Sequence, residues 1–227
     1  MPEAKIHVVD ASFLISATGP EEGVGWPAPG PVEIGFVGRS NVGKSSLLAA
    51  LLGRRGLVRI SKTPGRTRLI NFFSVKLLDH NRTTHELRFV DLPGFGYAKV
   101  SRDERAAWQG FMEAYLGGRT TLAAILLLVD ARRGLEVDEL ELARWLAGRG
   151  VRVLPVITKI DEVPKHKRKL VGEAAQRALA EALGGKAPQP ILTSTTMPAG
   201  TGGIDDLLAK LVRVVAGAGG PSAKVAP

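Results

Sequence analysis

The chain of 227 residues lacks cysteine altogether, which excludes disulfide bonds, thiolate metal sites and thiol nucleophiles. Long hydrophobic runs are also missing, because the longest apolar run covers residues 122–129, far below the roughly 20 residues of a membrane-spanning helix. The beginning of the chain, MPEAKIHVVD, has no basic segment followed by a long apolar one, so no secretory signal is predicted. We therefore expect a cytoplasmic protein without a membrane span.

Acidic residues are few relative to basic ones. Lysine and arginine total 31 against 22 aspartates and glutamates, which gives a net charge of +9 and a pI of about 10.1. This balance favours anionic partners, namely nucleic acid, anionic lipid or phosphorylated small molecules, although a solvated basic surface has the same composition. Apolar residues make up 44% of the chain, enough for the core of one ordinary domain, and nothing in the sequence demands more than a monomer.

The stretch GRSNVGKSS, residues 38–46, has the pattern Gly-x-x-x-x-Gly-Lys-Ser of a phosphate-binding loop, between an apolar run and a helical pattern. Glycines let successive N–H groups converge, and the helix that follows adds its unpaired N–H groups and the positive end of its dipole. We expect Lys44 to reach the β- and γ-phosphates of a nucleotide and Ser45 to ligate Mg²⁺. The alternative is a glycine-rich turn that fits the pattern by chance.

Two later motifs indicate which nucleotide is bound. In DLPG, residues 91–94, Asp91 is expected to hold Mg²⁺ through water and the Gly94 amide to meet the γ-phosphate, unless this is an ordinary strand exit. In TKID, residues 158–161, Asp161 can accept hydrogen bonds from both N1–H and the exocyclic amine of guanine, whereas adenine presents an unprotonated N1. The aliphatic stem of Lys159 can lie along the base. These features favour GTP over ATP.

Two further segments are candidates for nucleotide contacts. A backbone amide of TST, residues 193–195, can contact guanine O6, although an ordinary strand-end turn is the alternative. The basic segment LVRISKTPGRTRL, residues 57–69, lacks hydrophobic periodicity, so we expect a loop that closes over the nucleotide. Thr67 is the candidate second Mg²⁺ ligand, which would order the loop with GTP and loosen it with GDP. The basic residues of this region either contact an anionic partner such as RNA or are solvated.

Short apolar segments alternate with helical patterns, which predicts an α/β fold. Together with the phosphate loop, the pattern indicates a P-loop NTPase G domain with three α/β/α layers and a mostly parallel six-stranded sheet containing one antiparallel strand. Residues 1–31 are expected to form an N-terminal extension with a Gly/Pro-rich connector, residues 32–216 the GTP-binding G domain, and residues 217–227 a disordered tail. The predicted strands cover residues 32–37, 71–79, 85–91, 122–130, 151–158 and 190–194, and the predicted helices cover residues 44–52, 102–116, 137–147, 166–183 and 204–215.

The motifs GRSNVGKSS, TPGRTRLINFF, DLPGFGYAKV and TKID together resemble the EngB-type ribosome-biogenesis GTPases, of the translation-factor class, over residues 5–215. The resemblance implies a GTP-driven switch in the maturation of the large ribosomal subunit, whose loss is linked to defects in cell division and septation. It implies two partners: guanine nucleotide, and the large ribosomal subunit or its precursor with its rRNA and proteins. The Mg²⁺ ligands of the family correspond to Ser45 and Thr67.

The residues expected to contact GTP or GDP, from the motifs and the resemblance together, are Gly38, Arg39, Ser40, Asn41, Val42, Gly43, Lys44, Ser45, Ser46, Gly65, Arg66, Thr67, Asp91, Leu92, Pro93, Gly94, Thr158, Lys159, Ile160, Asp161, Thr193, Ser194 and Thr195.

The residue after the glycine of DLPG is unusual for a GTPase. Many small GTPases have a glutamine there that orients the attacking water, but this chain has Phe95, which forms no side-chain hydrogen bond. We expect Phe95 to be packed and intrinsic hydrolysis to be slow, with Lys44, Thr67 and Gly94 as the catalytic groups. Activation would come from K⁺, with Asn41 as its candidate ligand, or from a partner such as the ribosome. Stabilisation of the loop's turn is the alternative role of Asn41.

Two other function classes fit parts of the sequence. A P-loop kinase acting on a small metabolite would use the same phosphate loop, but it gives no reason for TKID or for Thr67. An RNA-binding module with a structural nucleotide is compatible with the net charge of +9, but the predicted Mg²⁺ ligands argue against a passive nucleotide.

Overall fold

Seven strands form a single sheet in the computed structural model, which describes residues 6–19, 25–53, 56–57, 69–95, 102–198 and 201–217. The strands are β1 (His7–Ala17), β2 (Val32–Gly38), β3 (Ile70–Leu78), β4 (Thr84–Asp91), β5 (Leu122–Asp130), β6 (Val153–Thr158) and β7 (Ile191–Leu192). The helices are α1 (Lys44–Leu51), α2 (Arg102–Gly117), α3 (Val137–Ala147), α4 (Lys165–Ala182) and α5 (Ile204–Gly217), with a short 3₁₀ helix at Ile160–Glu162.

The sheet is mostly parallel, with the strand order β1-β3-β4-β2-β5-β6-β7. Only β3 is antiparallel to its neighbours β1 and β4, and the remaining adjacent pairs are parallel. The central strands are apolar on both faces because helices cover both sides of the sheet. The predicted α/β fold with one antiparallel strand is confirmed.

The predicted number of strands is wrong, because β1 forms a seventh strand at the edge of the sheet. Register shifts between Val8 and Asp10 and between Phe13 and Ile15 mark two bulges in β1. Each bulge interrupts the two-residue period by which a half-buried strand is recognised in a sequence. Since β1 lies within residues 1–31 and residues 218–227 lie outside the described ranges, the predicted domain boundaries remain a prediction.

The hydrophobic core has two parts, one on each face of the sheet. On one face, α1 and α5 pack through residues such as Leu48 and Leu211. On the other face, α2, α3 and α4 pack through residues such as Met112, Leu146 and Leu179, all of which are fully buried. The five predicted helices are therefore present, each within two residues of its predicted ends. Ser101, which with Glu104 has the sequence spacing of a capping box before α2, lies outside the described residues.

A buried ion pair holds the segment that leads into β2. The Glu33 carboxylate, which is completely buried, accepts hydrogen bonds from Arg119 Nε at 3.0 Å and from the Tyr115 hydroxyl at 3.1 Å. Arg119 also donates to the carbonyl of Pro27 at 2.8 Å, which ties the Gly/Pro-rich connector to the sheet. Burial, together with the neighbouring Glu33 carboxylate, raises the pKa of Tyr115 well above its ordinary value, so the phenol remains a donor.

The parallel strands end at one common edge of the sheet. The loops that follow β2, β4, β6 and β7 carry the four motifs predicted to bind the nucleotide, and the topology gathers them at this edge. None of the helices within the described ranges is long and apolar enough to cross a bilayer.

Candidate nucleotide-binding site

The loop between β2 and α1 turns sharply at two left-handed residues, Asn41 with φ of 64° and Gly43 with φ of 99°. Gly43 is the N-cap of α1 and supplies no capping side chain, and the first turn of α1 contains no acidic residue. The N–H groups of this turn therefore lack a capping acceptor within the helix, and the positive end of the helix dipole is not offset by a carboxylate. This is the local structure that an anionic phosphate requires.

Gly38, at the start of the loop, is required by close packing. A Cβ atom at this position would lie 2.8 Å from Val42 Cγ1 and 3.1 Å from the carbonyl oxygen of Leu128. The loop therefore packs directly against β5. On the other side, Arg39 forms an isolated parallel bridge with Phe95, which brings the phosphate loop beside the DLPG segment.

Lys44 joins the phosphate loop to Asp91. Its ammonium group donates hydrogen bonds to Asp91 Oδ1 and, at 2.8 Å, to the carbonyl oxygen of Leu92. The second carboxylate oxygen of Asp91 accepts a hydrogen bond from Asn71 Nδ2 at 3.2 Å. The structure thus places the predicted phosphate ligand and the predicted Mg²⁺ carboxylate in direct contact.

The residues present fit a Mg²⁺ ion that is bound together with a nucleotide. Ser45 follows Lys44 in the first turn of α1, and Asp91 contacts Lys44, so one hydroxyl and one carboxylate flank the lysine. Mg²⁺ keeps several waters and takes phosphate oxygens of the substrate, and it therefore needs only one or two protein groups at such sites. The donor set is of the right chemical type and number.

Two residues of TKID form hydrogen bonds to the phosphate loop. The hydroxyl of Thr158, which is buried, donates to the carbonyl oxygen of Val42 at 2.7 Å. Lys159, itself left-handed with φ of 55°, donates from Nζ to the carbonyl oxygen of Asn41 at 2.8 Å. The end of β6 is therefore bonded to two successive peptide groups of the loop.

Asp130, at the end of β5, holds the Lys159 side chain in place. Its Oδ2 accepts a hydrogen bond from Lys159 Nζ at 2.9 Å and another from Arg132 at 2.6 Å. The hydrogen bond from Arg132, followed by that from Lys159, holds the pKa of the Asp130 carboxyl far below its ordinary value, so the carboxylate remains charged. The sequence analysis missed Asp130, although its place after the apolar run LLLV was a signal that could have identified it.

Asp161 lies beside the segment 193–195. Hydrogen bonds from the side chains of Ser194 and Thr196 lower the pKa of the Asp161 carboxyl, although partial burial opposes this shift. The carboxylate is therefore ionised and able to accept two hydrogen bonds. The amide of Ile160 donates to the carbonyl oxygen of Thr193 at 3.3 Å, which joins TKID to the last strand.

Only one amide of the segment 193–195 is available for a base. The amide of Thr193 donates to Ile157 at 2.8 Å and that of Ser194 donates to Gly202 at 2.9 Å. Within the described part of the chain, the amide of Thr195 has no hydrogen-bond partner. Thr193 and Ser194 are buried and Thr195 is exposed, so the first two residues build the segment and the third is free to contact a ligand.

The sequence analysis also missed a charged network that joins Arg39 of the phosphate loop to the start of α3. Arg39 Nη1 lies 2.6 Å from Glu136 Oε2, at the N-cap of α3, and 3.7 Å from Asp138. Glu136 and Glu139 form a capping box, a pattern that is usually sought with serine or threonine at the N-cap. A hydrogen bond from Arg133 lowers the pKa of Glu136, whereas burial raises that of Glu139.

Of the remaining predictions, one is confirmed and others fall on residues outside the described ranges. Phe95 is buried and its ring centre lies 6.4 Å from that of Trp108, so the predicted packing of this residue is confirmed. Gly65, Arg66 and Thr67 lie outside the described residues, and their predicted contacts stay predictions. The phosphate loop, DLPG, TKID and the segment 193–195 all meet at the same edge of the sheet.

Comparison with known proteins gives consistent matches over most of the chain. A family model described as 50S ribosome-binding GTPase matches residues 33–159. A probable GTP-binding protein EngB from Anaeromyxobacter sp. (strain Fw109-5) is 42% identical over 219 residues, which covers 96% of this chain and 96% of the relative. Another, from Geobacter sulfurreducens, is 39% identical over 222 residues, which covers 98% of this chain and 99% of the relative.

Solved structures match at the level of the fold. A crystal structure of a probable GTP-binding protein engB has a TM-score of 0.57 and 22% identity, covering 82% of this chain and 100% of that chain. Era from Aquifex aeolicus, bound to GDP and AlF4⁻, has a TM-score of 0.60 and 23% identity, covering 80% of this chain and 56% of that chain.

The Thr158 hydroxyl provides a test of how firmly β6 holds the phosphate loop. Thr158→Val keeps the side-chain shape but leaves the buried carbonyl of Val42 without its donor, so we expect a loss of about 1–3 kcal/mol in the free energy of unfolding, measured by urea denaturation. Thr158→Ser, which retains the hydroxyl, should lose less, and Thr195→Val, at an exposed position, should match the wild type. A Thr158→Val variant as stable as the wild type would contradict the assignment.

Proposed function

The chain belongs to the 50S ribosome-binding GTPase family, among its EngB members, and on this premise we propose that it is a guanine-nucleotide switch that acts in assembly of the large ribosomal subunit. As a member of this family it binds guanine nucleotides and hydrolyses GTP. The observation that carries the assignment of the site is the convergence of the phosphate loop, Asp91 and Asp161 at one edge of the sheet.

At the phosphate end, Lys44 contacts the β- and γ-phosphates of the nucleotide. The triphosphate competes with Asp91 for the ammonium group because it carries more charge than one carboxylate. Ser45 and, through water, Asp91 hold Mg²⁺, with Thr67 as a further ligand in the GTP-bound form. When bound, Mg²⁺ neutralises negative charge that develops on the β- and γ-phosphate oxygens. The N–H groups of the first turn of α1 provide fixed dipoles at the same position.

At the base end, Asp161 accepts the N1–H and the exocyclic amine of guanine, and the Thr195 amide donates to O6. The stem of Lys159 lies along the base while its ammonium group keeps the carbonyl of Asn41 and the carboxylate of Asp130. The hydrogen bonds that lower the pKa of Asp161 support this role, because an ionised carboxylate is the acceptor that two N–H donors require.

Hydrolysis requires a water molecule in line with the γ-phosphate, and the position directly after Gly94 has no polar side chain to orient it. Phe95 is buried against Trp108, which supports a slow intrinsic reaction. Lys44, Thr67 and the Gly94 amide stabilise the charge on the transferred phosphoryl group, and activation comes from K⁺ held by Asn41 or from the ribosome.

The biological part of the proposal is that the protein acts as a monomer in the cytoplasm, on the rRNA and proteins of the large subunit or its precursor. The net charge of +9 supports a partner rich in phosphate. By its resemblance to the EngB-type GTPases, depletion of the protein is also expected to disturb cell division and septation.

Base specificity can be reversed at Asp161. Asp161→Asn replaces one acceptor by a donor, so affinity for GDP should fall about 10- to 150-fold, since a hydrogen bond to a charged group contributes ~1.5–3 kcal/mol, and affinity for xanthosine diphosphate should rise. Fluorescence titration with labelled nucleotides measures both. The control is Glu162→Gln, which removes a carboxylate paired with Arg132 at 2.7 Å and should leave base preference unchanged. An unaltered preference in Asp161→Asn would remove this residue from its role.

The role of Asn41 is tested by the choice of monovalent cation. At equal ionic strength, turnover of GTP should be at least about tenfold faster in KCl than in NaCl, because even a single preorganised hydrogen-bond donor at the developing charge is typically worth about 100-fold or more. Asn41→Ala should lose the difference, and Ser40→Ala, at the adjacent exposed position, should keep it. Equal rates in both salts would exclude K⁺ as the activator.

Binding to the ribosome is tested by co-sedimentation with purified large and small subunits. We expect the protein to pellet with large subunits in a non-hydrolysable GTP analogue, less so with GDP, and not with small subunits. Binding that is independent of the nucleotide would favour an RNA-binding module with a structural nucleotide. Absence of binding to large subunits and their precursors in all nucleotide states would overturn the ribosomal assignment.

A further inference from the structure

Three polar residues form a row across neighbouring strands that ends at Asp91. Ser16 on β1 lies opposite Asn71 on β3, and Asn71 lies opposite Asp91 on β4. Directly opposed residues of antiparallel strands project to the same face of the sheet, so the three side chains are neighbours. The three residues of the row are half-buried. Elsewhere β3 carries buried apolar residues such as Phe72 and Phe73.

The hydrogen bonds along this row have one direction. The hydroxyl of Ser16 donates to Asn71 Oδ1 at 2.5 Å, and Asn71 Nδ2 donates to Asp91 Oδ2 at 3.2 Å. Asp91 Oδ1 is then left to the ammonium group of Lys44. Each carboxylate oxygen of Asp91 thus has its own donor, one from α1 and one from β3.

Asp91 and Ser16 together fix the orientation of the Asn71 amide. An amide can turn over, and the reversed orientation would set Oδ1 against the carboxylate, where both groups are acceptors. The carboxylate only accepts, so it selects the orientation that presents Nδ2 to it. The Ser16 hydroxyl, which can donate or accept, supports this orientation by donating to Oδ1. A hydroxyl on the edge strand therefore holds the amide in place, and the amide in turn orients a carboxylate.

We propose that Asn71 is a positioning residue that fixes the Asp91 carboxylate for the bound Mg²⁺, with Ser16 as its support. The inference rests on the proposed role of Asp91 in holding Mg²⁺ through water. Asn71 contacts neither the nucleotide nor the ion and acts only through Asp91. Partners that orient metal-binding groups typically change metal affinity 10–100-fold when they are removed. Asn71 belongs to the NFF stretch, to which the sequence analysis assigned no role of its own.

The experiment measures affinity for a fluorescent GTP analogue at a series of free Mg²⁺ concentrations and in excess chelator. In Asn71→Leu, which keeps the approximate size but removes the donor, the Mg²⁺ concentration that gives half of the Mg²⁺-dependent gain in affinity should rise about 10-fold or more. Affinity in chelator should stay at the wild-type value. Ser16→Ala should shift the Mg²⁺ requirement in the same direction by a smaller factor, and Ser16→Thr, which keeps the hydroxyl, should restore it.

The matched control is Asn81→Leu, the same substitution in the turn at the opposite end of β3, and its Mg²⁺ requirement should equal that of the wild type. Equal loss of affinity with and without Mg²⁺ in Asn71→Leu, or an unchanged Mg²⁺ requirement, would overturn the inference while leaving the proposed function intact. A wild-type protein that binds no guanine nucleotide would overturn both. If Asn71→Leu does not fold, the Ser16→Ala and Ser16→Thr pair decides the question.

Discussion

Two carbonyl groups of the phosphate loop are held by donors from the end of β6, and the rest of the site depends on this arrangement. Thr158 holds the carbonyl of Val42 at 2.7 Å, and Lys159 holds that of Asn41 at 2.8 Å. Because a trans peptide group is planar, a carbonyl fixed on one side directs the N–H of the next residue to the opposite side. The bond from Thr158 therefore aims the Gly43 amide away from β6, and the left-handed backbone of Gly43 leads directly into α1.

This arrangement joins the proposed base end and the proposed phosphate end through hydrogen bonds. Lys159 contacts the phosphate loop and Asp130 at the same time, and Asp161 follows it by two residues. A displacement of the TKID segment would shift both the carboxylate proposed to face the base and the peptide groups proposed to face the phosphates. Arg39, through its ion pair with Glu136, ties the loop to α3 as well. Nucleotide affinity in such a site is not a sum of separate base and phosphate contributions.

The sequence predicted those features that are encoded over short spacings. The phosphate loop, the alternation of strands and helices, and the packing of Phe95 all follow from residues that are close together in the chain. Features set by pairing between distant strands were not predictable in the same way. The row from Ser16 to Asp91 depends on strand register, which no local pattern specifies, and β1 is concealed by its two bulges. The hydrogen bonds of Thr158 and Asp130 depend on which strands become neighbours in the sheet.

The position of β1 has a consequence for any shortened form of the protein. The region matched by the family model begins at residue 33, so a chain shortened at its N-terminus to that residue would lose the strand that covers β3. The backbone N–H and C=O groups along that side of β3 would then be open, and Phe73 would lose the ring of Phe13 that packs edge-on against it. Open strand edges of this kind pair with other chains, so the trimmed protein would self-associate and precipitate more readily. The first strand thus acts as a protective border of the sheet.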